Sequence, residues 1–257
     1  MRVVAAWLVG MLVAAVNAQT APPLFLIPTE APKGVTLTAQ SPLHVMLTAS
    51  DAPMLGALLG VKVPAGASSF EYIVDRYPQL ESKNPRTWLE PTFLIDFDEP
   101  PFAALRAEMK DLGDKPDREA LVEFVNRTIH ENYERGWDLA STVAKRREGD
   151  CTEHAVLTTA LARMYGIPSR VVIGAALVSD GEHHNAFGHA WSEVREQDRW
   201  VVADAALLGE KGDVRYLPMG VIEDEGLGYG MGIAALQRTW IQRVEVLAPG
   251  ELAIAKP

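Results

Sequence analysis

Gly149-Asp150-Cys151-Thr152-Glu153-His154-Ala155, closed off downstream by Tyr165-Gly166-Ile167-Pro168, decides how this chain is read. Asp150 suits a helix N-cap, because its carboxylate can accept a backbone N–H of the first turn. Glu153 falls where its side chain can reach back to the cap, the aspartate form of a capping box. Leu157, Leu161 and Met164 continue as an apolar stripe beside Ala160, and a glycine then a proline end the helix. Cys151 is therefore expected in a first turn, where unpaired N–H groups and the helix dipole favour negative charge. A thiolate is the nucleophilic form of cysteine, and the same N–H groups could hold an oxyanion. Asp150 and Glu153 work against the thiolate, so a cationic partner has to outweigh them.

Cys151 is the only cysteine. It cannot form an internal disulfide, which leaves a buried small hydrophobe, an intermolecular link or a reactive thiol. Downstream, Arg170 to Gly174 reads as a strand, Ser179 to Gly188 as a polar loop, and His189 to Val194 as an alternating strand. Gln197-Asp198 makes a turn into a returning strand, Arg199 to Asp204. If Val194 pairs with Arg199, His189 lies opposite Asp204. If Glu196 pairs with Arg199, the two are diagonal neighbours on one face. Both registers bring a carboxylate to the imidazole, while a three-residue loop would put them on opposite faces. Cys151 as nucleophile, His189 as base and Asp204 as the group that orients the histidine then form a consistent set. Trp191 shares the face of His189 and is expected to wall the cleft, with Tyr133 as a second substrate-binding candidate. Tyr133 and Trp137 are also candidates for a further oxyanion donor. Taken singly, His189 reads equally well as a satisfied strand histidine and Asp204 as a strand-end carboxylate.

Further upstream the chain divides by pattern. Residues 1–18 carry Arg2, an uncharged apolar run from Val3 to Val16 and small residues before Ala18, the form of a signal peptide cut after Ala18. The apolar run is too short to span a bilayer. Residues 19–100 are β-rich: Leu43, Val45 and Leu47 alternate with polar neighbours, and Phe93 to Phe97 reads as another strand. Residues 101–210 hold the chemistry. Phe102, Leu105, Met109 and Leu112 form one helical face ended by Gly113, and a second helix runs from Asp117 to about Arg135. Residues 211–257 read as a loop and a closing strand, Trp240 to Val246. Gly226 to Gly232 lacks the spacing of a phosphate loop and reads as a flexible border to the cleft.

Composition narrows the function classes. A net charge of −10 and a single basic run, Lys145-Arg146-Arg147, exclude a nucleic-acid face. Loss of Arg2 with the leader would leave 23 basic against 34 acidic side chains. Glu182-His183-His184, with His189 and His154, supplies groups that suit zinc, but no metal-cage spacing accompanies them, and no metal or other cofactor is expected.

Four blocks together resemble a known family: Arg147 to Ala155, Gly166 to Val172, Gly188 to Val194, and Trp200 to Asp204. The bacterial transglutaminase-like superfamily shows a G-D-C-x-E-x-A helix start, a G-I-P-x-R strand entry, an H-A-W-x-E-V strand and a W-x-x-x-D strand in this order. The resemblance covers about residues 100–210; Ala205 stands where relatives often carry proline. It implies an α+β, papain-like core in which a nucleophile helix packs on an antiparallel sheet. It also implies a thiol acyl-transfer enzyme with Cys151, His189 and Asp204. The expected reaction is peptide or isopeptide hydrolysis through a thioester, on a peptide or protein substrate, in the periplasm or outside the cell. A cross-linking transglutaminase and a non-catalytic peptide-binding or envelope-assembly module are the alternatives. Neither a nucleic-acid partner nor stable membrane insertion is expected, and the sequence leaves the oligomeric state open.

Overall fold

Prolines and glycines cut this chain into short elements wrapped around two long strands. The computed structural model describes residues 26–32, 42–81, 88–134, 136–179 and 183–247. The N-terminal part carries β1 (Leu26–Ile27), β2 (Thr29–Glu30), β3 (Leu43–Ala49), α1 (Ala52–Leu58) and β4 (Ser69–Val74). The middle carries α2 (Pro101–Glu108), α3 (Arg118–Thr128), β5 (His130–Glu131), α4 (Ala140–Arg146), β6 (Glu148–Gly149) and α5 (Cys151–Met164). Then follow β7 (Ser169–Ser179), β8 (His184–Glu196), β9 (Arg199–Ala203), β10 (Asp213–Val221), α6 (Tyr229–Ala235) and β11 (Ile241–Val246). The leader and cleavage point expected at residues 1–18 lie outside the described residues.

The mixed architecture matches the expected class. A five-stranded sheet runs β1-β8-β7-β10, with β9 also paired to β8, and every pairing in it is antiparallel. A second sheet of four strands runs β2-β11-β3-β4, so the closing strand returns to the N-terminal region. The β8–β9 register is Glu196 with Arg199 and Ser192 with Ala203, the two-residue turn. Gln197 and Asp198 both take positive φ, 45° and 66°, as a hairpin of that length demands. Along its outer edge β8 pairs with β1 at Ala186 and Phe187 and with β9 from Ser192 onward. Among the described residues, 188–191 have no strand on that edge, and His189 sits in the gap.

One face of the large sheet is shared by two layers. Val171, Ile173, Ala190 and Val194 pack under α3, α4 and α5, and Ala175, Leu177, Ala186 and Leu217 pack under the four-stranded sheet. Ser192 fastens α5 to this face, its hydroxyl donating to the Ala155 carbonyl at 2.7 Å. The alternate residues point off the opposite face. There Arg170 and Glu193, cross-strand partners, form a fully buried ion pair at 2.5 Å, and Arg170 also lies 4.0 Å from the centroid of the Trp200 ring. Leu80, Val172 and Trp191 pack together on that side.

Several elements differ from the sequence expectation. Phe93 to Phe97 is not a strand: Leu94 and Ile95 are buried, but their backbone bonds form no strand ladder, Leu94 N–H donating to the Glu225 carbonyl at 2.9 Å and its carbonyl accepting from Ala140 N at 2.9 Å. Asp96 caps α4 instead, accepting from Ser141 N at 2.7 Å and Ser141 Oγ at 2.6 Å. The second helix ends at Thr128, well before Arg135, because His130 and Glu131 turn extended and pair in parallel with Glu148 and Gly149. The loop expected from Ser179 is shorter, since β8 already begins at His184. Residues 229–235 are helical, not a flexible glycine loop. Residues 213–221 add a strand to the large sheet beyond residue 210, which the pattern did not announce.

Candidate active site

The capping box forms as the sequence requires. Asp150 accepts from Thr152 N at 2.8 Å, and its own N–H donates to Glu153 at 3.0 Å. Glu153 is fully buried and does more than cap: it also accepts from Asp138 N at 3.1 Å and from the Thr152 hydroxyl at 2.9 Å. One carboxylate thus ties the 136–138 loop to the start of α5. Burial, reinforced by the Asp150 charge, pushes this carboxyl above its usual range in spite of the two backbone donors. Gly149 is required by the same knot, because a Cβ there would lie 2.2 Å from the Cβ of Glu153.

Cys151 is the first residue of α5 and is partly exposed. Its thiol neighbours the His189 imidazole and helps to raise that ring's pKa. The backbone N–H of Cys151 meets no acceptor among the described residues, so it is available to an oxyanion. His189 and Asp204 side chains are 3% and 4% exposed, and Nε2 of the imidazole lies 2.8 Å from Oδ2 of the carboxylate. A carboxylate only accepts, so Nε2 carries a proton and Nδ1 is left for the thiol. Asp204 Oδ2 also accepts from the Tyr216 hydroxyl at 2.9 Å, and Oδ1 from Ala206 N at 3.0 Å and Leu207 N at 3.3 Å.

These contacts set the electrostatics. Burial alone would strip the proton from His189. The Asp204 charge and hydrogen bond, followed by Cys151, reverse that and raise its pKa to about 10. Burial would likewise raise Asp204, but the His189 charge and hydrogen bond, then the Tyr216 hydroxyl and the Leu207 amide, bring it below the ordinary value of 3.8. Tyr216 pays the counterpart: burial first, then the Asp204 charge, hold its phenol far above the usual range. The arrangement can hold an imidazolium next to a thiol, present a backbone donor to a carbonyl oxygen, and keep the imidazole in one tautomer.

Of the residues singled out from the sequence, Cys151, His189 and Asp204 come together in the gap of β8. Trp191 does not offer a surface to a substrate. It is fully buried, stacked on His189 with ring centroids 6.1 Å apart, and its indole N–H donates to Tyr77 Oη at 2.9 Å. It stands behind the histidine, and Gly174 makes room for it, since a Cβ there would come within 2.5 Å of the indole. Tyr133 is 47% exposed, and its hydroxyl donates to Glu131 at 3.3 Å. Partial burial, then Glu131, Cys151 and Asp150, raise its phenol above the usual value. Trp137 N–H is already committed to Thr152 Oγ1 at 3.1 Å and is not an oxyanion donor. His184 is buried with Nδ1 2.9 Å from Ser179 Oγ, and His183 is exposed; no cluster able to hold a metal occurs among the described residues.

Tyr216 and Tyr77 were not foreseen. Tyr216 comes from β10, and Tyr77 donates to Glu193 while receiving from Trp191, so it links the buried ion pair to the ring behind His189. No local pattern marks either residue, because each reaches the site from a distant part of the chain.

Comparison with known proteins follows this geometry. The family model described as Transglutaminase-like superfamily matches residues 106–205. No curated protein matches the chain. One similar solved structure is a provisionally named cysteine protease from Cytophaga hutchinsonii, with a TM-score of 0.41 and 18% identity. That match covers 54% of this chain and 47% of the other. Another is the periplasmic domain of TgpA from Pseudomonas aeruginosa, bound to ethylmercury, with a TM-score of 0.36 and 23% identity over 55% of this chain and 56% of the other. The chain thus spans about half the length of each. No described helix is long and apolar enough to cross a membrane. Residues 106–205, the stretch that matches the transglutaminase-like superfamily model, contain Cys151, His189 and Asp204.

Proposed function

We propose that this protein is an exported thiol enzyme that hydrolyses peptide or isopeptide bonds through a thioester on Cys151. The observation that carries the reading is the partly exposed Cys151 thiol at the first turn of α5 beside His189, whose Nε2 lies 2.8 Å from Asp204 Oδ2. In acylation the Cys151 sulfur attacks the carbonyl carbon, and the oxygen takes its charge against the Cys151 N–H. The C–N bond breaks as His189 Nδ1 delivers its proton to the leaving nitrogen. In deacylation water attacks the thioester, His189 takes one of its protons, and the C–S bond breaks to restore the thiol–imidazole pair. Asp204 holds the imidazole in place and stabilises its charged form throughout. Cross-linking would need a primary amine in place of water at the same thioester, and incubation with an amine separates the two. Export rests on the leader at residues 1–18, and N-terminal sequencing of the protein recovered from the envelope or medium should begin at Gln19.

The test is digestion of a peptide mixture, with new termini read by mass spectrometry and Cys151→Ala alongside. Parallel incubations contain dansylcadaverine, and the intact protein is weighed for an acyl adduct. New termini that vanish in the variant support the proposal. Amine incorporation without new termini replaces it with the cross-linking reading. Absence of both, with no adduct on Cys151, overturns it in favour of a binding module.

A further inference from the structure

His154 has no role in the scheme above, yet its setting is that of a working group. It lies three residues after Cys151 on α5, and residues so spaced are neighbours on one helix face. The residue is 5% exposed. Its Nδ1 is 2.7 Å from the Asp150 carbonyl oxygen. A carbonyl oxygen only accepts, so the proton is on Nδ1 and Nε2 carries a lone pair. Nε2 has no hydrogen-bond partner among the described residues. Among the described residues the buried side-chain atoms without a partner are Thr158 Oγ1, Arg170 Nη1 and His184 Nε2, and His154 Nε2 is not one of these sealed atoms.

The surroundings keep that lone pair available. Burial pulls the imidazole below its usual value. Against this, the Asp150 carbonyl at the helix cap, Asp204 beyond β9 and Glu131 from β5 raise it, and His189 from β8 lowers it further, with the net effect downward. Two imidazoles thus stand near one thiol. His189 is a charged proton carrier and His154 a neutral acceptor.

We propose that His154 Nε2 is the acceptor that positions the nucleophile resolving the thioester, and that with His189 it selects a nucleophile bearing two transferable hydrogens, water or a primary amine. The inference rests on the thiol-enzyme reading. In the step itself the nucleophile's O or N bonds to the acyl carbon and one of its hydrogens passes to His189 Nδ1. The C–S bond breaks with its electron pair on sulfur. The second hydrogen stays on the nucleophile and is held by His154, which changes neither charge nor protonation. A secondary amine spends its only hydrogen on His189 and leaves Nε2 unpaired, which costs binding of the attacking group.

The experiment uses p-nitrophenyl acetate. Release of p-nitrophenolate in the burst reads acetylation of Cys151, and decay of the acetyl-enzyme mass reads deacylation by water, methylamine or dimethylamine. His154→Asn is the informative variant, because its amide N–H can keep the bond to the Asp150 carbonyl while Nε2 disappears. The proposal expects a burst within about twofold of wild type. It expects deacylation by water and methylamine slowed about tenfold or more, dimethylamine hardly affected, and the wild-type preference for methylamine lost, from the cost of one unmade hydrogen bond. His154→Gln, which restores an acceptor near Nε2, should recover part of the rate. Unchanged deacylation in His154→Asn overturns the inference and leaves the thiol enzyme standing. Equal loss of both steps in His154→Asn overturns it in favour of a structural role at the cap. A wild-type protein with no burst removes the thiol-enzyme reading and this inference with it.

Discussion

Replacing Asp204 with asparagine is the sharpest test of the electrostatics. The substitution keeps the size and one acceptor oxygen but removes the charge 2.8 Å from His189 Nε2. In the wild type the imidazolium loses its proton at about 10 and not at the ordinary 6.5. That interval is worth roughly 5 kcal/mol of extra proton affinity, at about 1.4 kcal/mol for each tenfold step. Burial acts in the opposite sense and Cys151 contributes the smaller share, so without Asp204 the balance falls back toward desolvation and the imidazole is neutral near pH 7. The thiol then loses its cation across the working range. The assay is the rate of Cys151 alkylation by iodoacetamide from pH 5 to 10, read by intact mass, each protein normalised to its own alkaline plateau. At pH 6 the normalised rate of Asp204→Asn should fall at least tenfold below wild type, and acylation near neutrality should drop by about two to four orders of magnitude, as in related triads. Equal plateaus show that access and folding survive. Superimposable pH profiles would refute the argument that the Asp204 charge holds the imidazolium.

Other consequences follow from the same contacts. His189, raised in the fold, stabilises the protein fully below 6.5 and loses that contribution as pH rises through about 10; the denaturant midpoint should fall over that window in wild type and stay level in His189→Gln. Asp204 works at the other end: depressed below 3.8, it stabilises above that value and loses the contribution as pH falls through its lower folded value, a loss absent in Asp204→Asn. Gly149→Ala forces a Cβ to within 2.2 Å of the Glu153 Cβ and should cost about 1–3 kcal/mol in thermal or urea unfolding, with coupling to Glu153→Ala in a double-mutant cycle. Glu193→Ala strands a fully buried Arg170 and should cost about 3–5 kcal/mol, whereas Arg170→Met with Glu193→Leu should recover most of it in urea titrations.

The helix at Cys151 was legible because its signals are local: a cap, a box partner three residues on, an apolar stripe and a glycine stop. The hairpin was legible to within a choice of two registers. Gln197-Asp198 is not a strong turn pair, and only the left-handed backbone at both residues settles the shorter loop. The strand at residues 213–221 was hidden by Pro218, which argues against a paired strand; the structure accommodates it at a register shift between Pro218 and Gly220. Tyr216 was hidden with it. Phe93 to Phe97 misled for the opposite reason: its apolar run is core, but Leu94 and Ile95 are buried by a loop crossing α4, and periodicity does not separate a buried loop from a buried strand.

The motif residues Gly149, Glu153, Arg170, Trp191, Glu193 and Trp200 do positioning work, which explains why the motifs identify the domain and say little about the substrate. Gly149 and Glu153 fix the 136–138 loop to the helix tip. Arg170 and Glu193 lock β7 to β8 on the buried face, Trp200 lies against Arg170, and Trp191 carries that rigidity to the ring of His189. A buried ion pair contributes little net stability compared with apolar residues of the same size, so its value here is register: a one-residue slip of β8 would turn His189 away from Cys151 and bury it among the helices. Such residues are indifferent to what enters the cleft. Discrimination falls to other groups, and two of different kind are the candidates, the half-exposed phenol of Tyr133 and the Nε2 that His154 does not commit to the Asp150 carbonyl. On the proposal above, His154 acts on what attacks the thioester and leaves recognition of the acyl side to other groups.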